Sequence, residues 1–248
     1  MPATCTLVVD EHAYKLYSEY TGIPEEVIAQ AAKNFGSFNL VTWNECPGAD
    51  WTEKARVYYE TNPEYLFDLL YGSQTKARRR AIYQQYGHWP WMVGNGDDVL
   101  EFGGGLGFCC SMLRDEGKRV TYVDVDGPAA KFAKWYFARC GQPDIEQILT
   151  PSERLVLPEG RSWDLVFSDS VIEHVPDPAG TVETLARAVR PGGLLYLIID
   201  AHEVSAAFPM HRHVHLSEIL AGAPTLRRMQ HVLHQGDGLN AFRAPVDF

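Results

Sequence analysis

Residues 99–110 read VLEFGGGLGFCC, an apolar run that ends in Gly103, Gly104, Gly105 and Gly107. Glycine weakens helices and strands. A cluster of it behind an apolar run marks a backbone that must turn tightly or let something approach closely. The residues around this cluster alternate between two textures. DVLEF, RVTYVDVD, DIEQILT, SWDLVFSDS and LLYLIID read as strands, and the stretches beginning GFCC, GPAAKF and PAGTVE read as helices. Alternation of this kind predicts a parallel sheet with crossover helices on both faces. MQHVLH and NAFRAPV follow as closing strands with an antiparallel option. The glycines then lie between the first strand and its helix, at the carboxyl edge where open parallel sheets bind ligands.

The chain before this sheet has a different character. Pro24 opens a helix whose first turn carries Glu25 and Glu26, with Val27, Ile28, Ala31 and Ala32 recurring at helical spacing. Thr42 to Trp51 reads as a loop, and Asn62 to Tyr86 as a further helical stretch. We expect a helical cap or lid over residues 1–90 and a ligand-binding sheet domain over 91–248. At 248 residues with 46% hydrophobic residues, the chain can bury a sizeable core. Its net charge of -10 repels phosphate backbones, which argues against a nucleic-acid partner. No apolar run is long enough to cross a bilayer, so no membrane partner is expected. The first residues, MPATCTLVVDEHAY, lack the pattern of a secretory signal. The five cysteines are odd in number and form no CxxC pair, which suits a reducing, cytoplasmic setting. Cys109 and Cys110 should pack as small apolar residues at a helix start.

A dinucleotide fingerprint would need GxGxxG, but its third position falls on the bulky Phe108. A phosphate-cradling loop ending in Lys-Ser or Lys-Thr is absent as well. The pattern present is E-x-G-x-G-x-G, with Glu101, Gly103, Gly105 and Gly107. It resembles motif I of the class I S-adenosylmethionine (SAM)-dependent methyltransferases. Asp124 at the end of TYVDVD, the segment SWDLVFSDSVIEHVPDP and the segment LARAVRPGGLLYLIID are similar to that family's later motifs in order and spacing. The resemblance covers about Asp98 to Asp200. It implies a doubly wound, Rossmann-like α/β sheet, mostly parallel, that binds SAM. By the same resemblance, Glu101 would orient the loop near the methionine amino group, and Gly103 and Gly105 would let the backbone run close to the cofactor. Asp124 would accept from the ribose hydroxyls, and Val125 would lie against the adenine. Ser152 and Glu153 are the nearest candidates for the adenine amino group. Asp169 is carried over as a further cofactor contact.

A sulfonium methyl is already activated, so transfer needs an aligned nucleophile and, for some acceptors, a base. The segment Ser170 to His174 is similar to the E-x-x-E-H of the ubiquinone O-methyltransferases, where carboxylates and His bind a divalent metal. Here Ser170 replaces the first carboxylate, and a hydroxyl is a weaker ligand, so no metal is expected. Glu173 and His174 stand as catalytic candidates, joined by His202, which with Glu203 follows the fifth strand. HRHVH, His211 to His215, could place three imidazoles on one side of a strand, though an ordinary stretch before a late helix is favoured. KARRR, Lys76 to Arg80, reads best as a solvated face, with Arg78 or Arg79 pairing with a carboxylate of cofactor or substrate as the sharper option. Tyr14, Tyr17, Tyr20, Tyr83 and Tyr86 supply an aromatic N-terminal part from which a few rings should line the pocket. The expected function is methyl transfer from SAM to a small-molecule acceptor. Rivals are intramolecular SAM chemistry releasing methylthioadenosine, a non-catalytic SAM-binding subunit, and a nicotinamide oxidoreductase that Phe108 disfavours. Exposed cap aromatics leave a homodimer open.

Overall fold

The computed structural model describes residues 11–73, 75–199, 205–235 and 238–247. Among the described residues, the part before the sheet is built of helices: α1 (Ala13–Thr21), α2 (Glu25–Lys33), α3 (Phe35–Glu45), α4 (Trp51–Thr61), α5 (Leu66–Ser73), α6 (Lys76–Gln85) and α7 (Trp89–Val93). The loop expected over Thr42 to Trp51 is shorter than its composition suggested. Helix α3 continues through Glu45, and the Asp50 carboxylate caps α4 by accepting from the Glu53 amide at 3.0 Å. The stretch from Asn62 to Tyr86 divides into α5 and α6, because Thr75 begins a new helix by accepting from the Arg78 amide at 3.0 Å. On α2, Ile28 and Ala32 are buried, while Val27 faces solvent.

The sheet domain follows as β1 (Asp98–Phe102), α8 (Phe108–Asp115), β2 (Arg119–Val125), α9 (Pro128–Arg139), β3 (Glu146–Thr150), β4 (Trp163–Asp169), α10 (Pro178–Arg187), β5 (Val189–Ile198), α11 (Leu216–Gly222), β6 (Gln230–Gln235) and β7 (Leu239–Arg243). Among the described residues these strands form one seven-stranded sheet in the order β3-β2-β1-β4-β5-β7-β6. β1 to β5 pair in parallel, whereas β7 pairs antiparallel with β5 and with β6. The closing strands are therefore the antiparallel hairpin that the tail allowed.

Side chains of the central strands alternate between two apolar layers, so both faces are buried. Val99, Phe167 and Tyr196 join α8, α9 and the cap helices on one face. Leu100, Val166 and Leu197 join α10 and α11 on the other. The cap thus shares its core with one sheet face. The chain winds from β1 outward to β3 and then returns to β4 on the other side of β1. This reversal opens a crevice at the carboxyl ends of β1 and β4, which is where doubly wound sheets hold ligands.

Gly107 starts α8 in the left-handed region at φ 77°. A Cβ there would stand 2.6 Å from the Phe137 ring. Gly107→Ala combines backbone strain with overpacking and is expected to cost about 2 kcal/mol, read as a lowered urea midpoint with an unchanged m-value.

Candidate functional site

The crevice contains a cavity of about 330 Å³, within the range of small-molecule sites. Its floor is the turn from β1 to α8. Gly103 and Gly105 hold φ values of 75° and 53°. At Gly103 a Cβ would overlap the side chain of Val171, which follows β4. Glycine at this position lets the ends of β1 and β4 close up. Gly105 faces the cap, where a Cβ would stand 3.4 Å from Leu69 of α5.

Asp124, near the end of β2, fixes this turn. Its carboxylate accepts from the Gly105 amide at 2.8 Å and from the Val125 amide at 2.7 Å. The Tyr122 hydroxyl lies 3.1 Å from the same carboxylate and 2.9 Å from the Gly105 carbonyl. Burial holds the Asp124 carboxyl above its ordinary range, against the lowering effect of the two amides. An ionised carboxylate has about four acceptor positions, so lone pairs remain for a ligand's hydroxyls. Glu101 is almost fully enclosed, and burial pushes its carboxyl up to about 8. The Cys110 thiol donates to it at 2.8 Å. Cys109 and Cys110 are both buried at the start of α8, and Phe108 beside them lines the cavity.

Cap residues complete the walls. Tyr58, Tyr59, Tyr65, Asp68, Leu69 and Arg79 all line the cavity. Arg79 overturns the reading of KARRR as a solvated face. Its guanidinium donates to the Asp169 carboxylate at 2.7 Å and to the Tyr83 hydroxyl at 3.1 Å. Tyr83 donates to the same Asp169 oxygen at 2.7 Å. Lys76 and Arg80 of the same run do reach the surface ion pairs expected of it, with Asp115 and Glu116.

The structure brings Glu101, Gly103, Gly105, Asp124, Val125, Ser152, Asp169 and His174 to this one cavity. Two of the expected residues point elsewhere. Glu153 is not among the lining residues; it extends toward Arg56, 3.4 Å away on α4, across an exposed surface. Glu173 is also absent from the lining, its side chain being buried behind the turn that presents His174. His202, Glu203 and Asp200 lie outside the described residues. HRHVH forms no strand: His211 is buried against the cavity, while His213 and His215 are exposed. Among the described residues, no group of three or more His, Cys, Asp or Glu is placed to hold a metal ion. Of the tyrosines named from composition, none is among the lining residues, although Tyr83 reaches Asp169. The rings that do line it, Tyr58, Tyr59 and Tyr65, carry no periodic signal of their own. Ser170 also lines the cavity and holds a left-handed φ of 56°, uncommon without glycine.

A glycine turn at the first strand, a carboxylate closing the second and a crevice at the strand reversal form a ligand site of the kind that doubly wound sheets carry. Residues 100–197 match the methyltransferase domain family. Over 101 residues the chain is 35% identical to a ubiquinone biosynthesis O-methyltransferase of Paracidovorax citrulli, covering 41% of this chain and 42% of that one. A protein of the same description from Saccharophagus degradans is 32% identical over 98 residues, covering 40% and 41%. The chain thus matches less than half the length of these curated relatives. Among solved structures, the PH0226 protein of Pyrococcus horikoshii superposes with a TM-score of 0.55 at 14% identity, covering 79% of this chain and 100% of that one. The N-methyltransferase NodS of Bradyrhizobium japonicum, in complex with S-adenosylhomocysteine, gives 0.52 at 19%, covering 67% and 87%. These likenesses show the fold.

The buried Glu101 makes stability depend on pH. Its carboxyl titrates at about 8 in the folded chain, against an ordinary value of 4.5. Between those values the folded state holds a proton that the unfolded chain has released. Its contribution is therefore present below pH 4.5 and is lost as pH rises toward 8, at up to about 1.4 kcal/mol per pH unit. Glu101→Gln keeps the shape without the ionisation. Urea melts should show the variant gaining on the parent protein from pH 5 to pH 8.

Proposed function

We propose that this protein transfers the methyl group of SAM to a small-molecule acceptor. The observation that carries the reading is the Gly105–Asp124 hydrogen bond at the edge of the cavity. It holds a glycine backbone and a carboxylate side by side, which suits a ligand that presents hydroxyls to an acid and an extended chain to bare backbone. In this reading Asp124 takes the ribose and Val125 packs against the adenine. Glu101, Gly103 and Gly105 border the methionine portion, and Ser152 lies toward the adenine amino group. Asp169 contributes through its pair with Arg79, which holds the wall beside Glu101.

Such a cofactor brings an electrophilic methyl carbon, and the protein's task is to bind, orient and exclude water. Residues 1–90 act as the cap over that reaction, with Tyr58, Tyr59 and Tyr65 facing the cavity and residues 91–248 carrying the cofactor. A cavity walled by rings and bordered by a cap suits a metabolite better than a polymer. The acidic chain supports the same choice. No helix among the described residues is long and apolar enough to cross a membrane. We place the reaction in the cytoplasm, a setting supported by the free thiols of Cys46, Cys109, Cys110 and Cys140.

Two measurements test this. Purified protein is incubated with SAM alone and with SAM plus a metabolite extract of its host. Mass spectrometry should find S-adenosylhomocysteine only with extract, together with a metabolite heavier by one methylene. Methylthioadenosine formed from SAM alone would overturn the reading. Separately, Asp124→Ala should weaken S-adenosylhomocysteine binding by about 1–3 kcal/mol in calorimetry, the scale for losing a charged hydrogen-bond partner. Unchanged affinity would remove the ribose assignment.

A further inference from the structure

Helix α4 of the cap ends against the rim of the cavity. Its last turns carry Tyr58 and Tyr59, which line the cavity, and then Glu60, which does not. Two turns of the sheet domain hold this end in place. Gly127 opens α9 just after β2, and a Cβ there would overlap the Tyr59 carbonyl oxygen. A bare Cα is therefore what lets α4 rest on the turn that follows Asp124 and Val125. On the other side, the turn after β3 reaches Glu60. The Ser152 hydroxyl donates to the Glu60 carboxylate at 2.8 Å, and the Ser152 amide lies 3.4 Å from the same oxygen. Arg56, one helical turn earlier on α4, lies 3.7 Å from Glu60 and 3.4 Å from Glu153.

The turn after β3 is shaped by its own hydroxyl. Thr150 is buried; it donates to the Arg154 carbonyl at 2.9 Å and accepts from the Val156 amide at 2.9 Å. Its side chain is spent on closing residues 150–156 into a loop. Ser152 sits within that loop, facing α4 and lining the cavity at once. A serine hydroxyl has one proton and two lone pairs, and an ionised carboxylate has no proton to give. In the bond to Glu60 the hydroxyl is therefore the donor, and that bond uses its single proton. What Ser152 can offer to the cavity is an acceptor and nothing else. A ligand group that brings an N–H there is favoured, and one that brings a carbonyl oxygen meets lone pairs with lone pairs.

We infer that Glu60 is a specificity-determining positioning residue: by taking the Ser152 proton, the cap sets this edge of the cavity to accept only, and so selects a nucleobase with an exocyclic amino group over one with a carbonyl in its place. The inference rests on the SAM reading of the cavity and deepens it. Glu60 touches no ligand and acts through Ser152. The sheet domain then reads the base only while α4 is docked, so a cofactor that binds through this edge favours the capped form.

The test is calorimetry with two compounds, S-adenosylhomocysteine and S-inosylhomocysteine, the second carrying a carbonyl where the first carries the amino group. The parent protein should prefer the amino compound by about 10-fold or more. In Glu60→Ala the Ser152 hydroxyl is free to turn and donate. The preference should fall to about threefold or less, in part because the inosyl compound binds more tightly than it does to the parent. Damage to the fold would weaken both compounds alike and could not produce that gain. Glu60→Gln keeps the side chain's size but places an N–H beside its oxygen, so the preference should fall part of the way; this variant decides the matter if Glu60→Ala does not fold. Ser152→Ala and the double variant Ser152→Ala/Glu60→Ala should show the same reduced preference, because Glu60 has no route to the ligand except the hydroxyl. The inference is overturned if the Glu60 variants keep the parental preference, or if the parent binds the two compounds equally, outcomes that leave the methyl-transfer reading standing. A parent protein that binds neither compound brings down that reading, and this inference with it.

Discussion

The Gly105 amide donates to the Asp124 carboxylate across the gap between β1 and β2, and much of the site follows from that bond. The turn needs positive φ at residues 103, 105 and 107, which leaves its amides pointing away from regular ladder partners. Asp124 takes one of them, and the Val123 carbonyl takes the Gly103 amide at 2.7 Å. The turn is thereby tied to β2 at two successive residues. Tyr122 braces it from beneath by reaching both the Gly105 carbonyl and Asp124. A shift in β2 would move the carboxylate and the glycine backbone together. Their relation is a property of the sheet rather than of a free loop.

The same geometry explains what the sequence made legible. Positions governed by backbone conformation or strand termini leave a local mark: glycine where φ is positive, an acid where a strand ends. Gly103 and Gly105 stood out for that reason, and Asp124 and Asp169 through the family resemblance of the segments that hold them; all four line the cavity. The alternation of strand and helix likewise announced the doubly wound sheet. The cap sites left no such mark. Tyr58 and Tyr59 are adjacent in sequence, yet Tyr58 donates to Asn39 within the cap while Tyr59 reaches His174 across the cavity. Which of two neighbouring tyrosines faces a ligand depends on how α4 is rotated against the sheet, a tertiary fact.

Arg79 illustrates the same limit from the side of charge. Three consecutive arginines look alike in sequence. Helical rotation sends Arg80 outward over Trp89 and toward Glu116, while Arg79 turns inward to Asp169. Only the partner at the end of β4, ninety residues on, tells them apart. His211 was hidden for a related reason. HRHVH reads best as an ordinary stretch before a late helix, which gives His211 no place of its own. In space the stretch forms no strand, and the Arg212 amide on Glu173 sets His211 against His174.

Burial is the leading cause of the shifts at Glu101, Asp124 and His174, and in each case it favours the uncharged form. Glu101 and Asp124 are raised and His174 is lowered, so groups of opposite type are driven toward the same neutrality. Beside them in the cavity wall the Arg79–Asp169 pair is internally compensated. A cationic ligand entering such a space eases ionisation of Glu101, whose proton burial retains, so ligand binding and loss of that proton favour each other, and by linkage each must strengthen the other equally. His174 lacks that option. No anion stands among the causes of its shift, and the second imidazole beside it opposes charge further. Glu101 can therefore change charge with the occupant of the cavity, while burial and the neighbouring His211 hold His174 neutral.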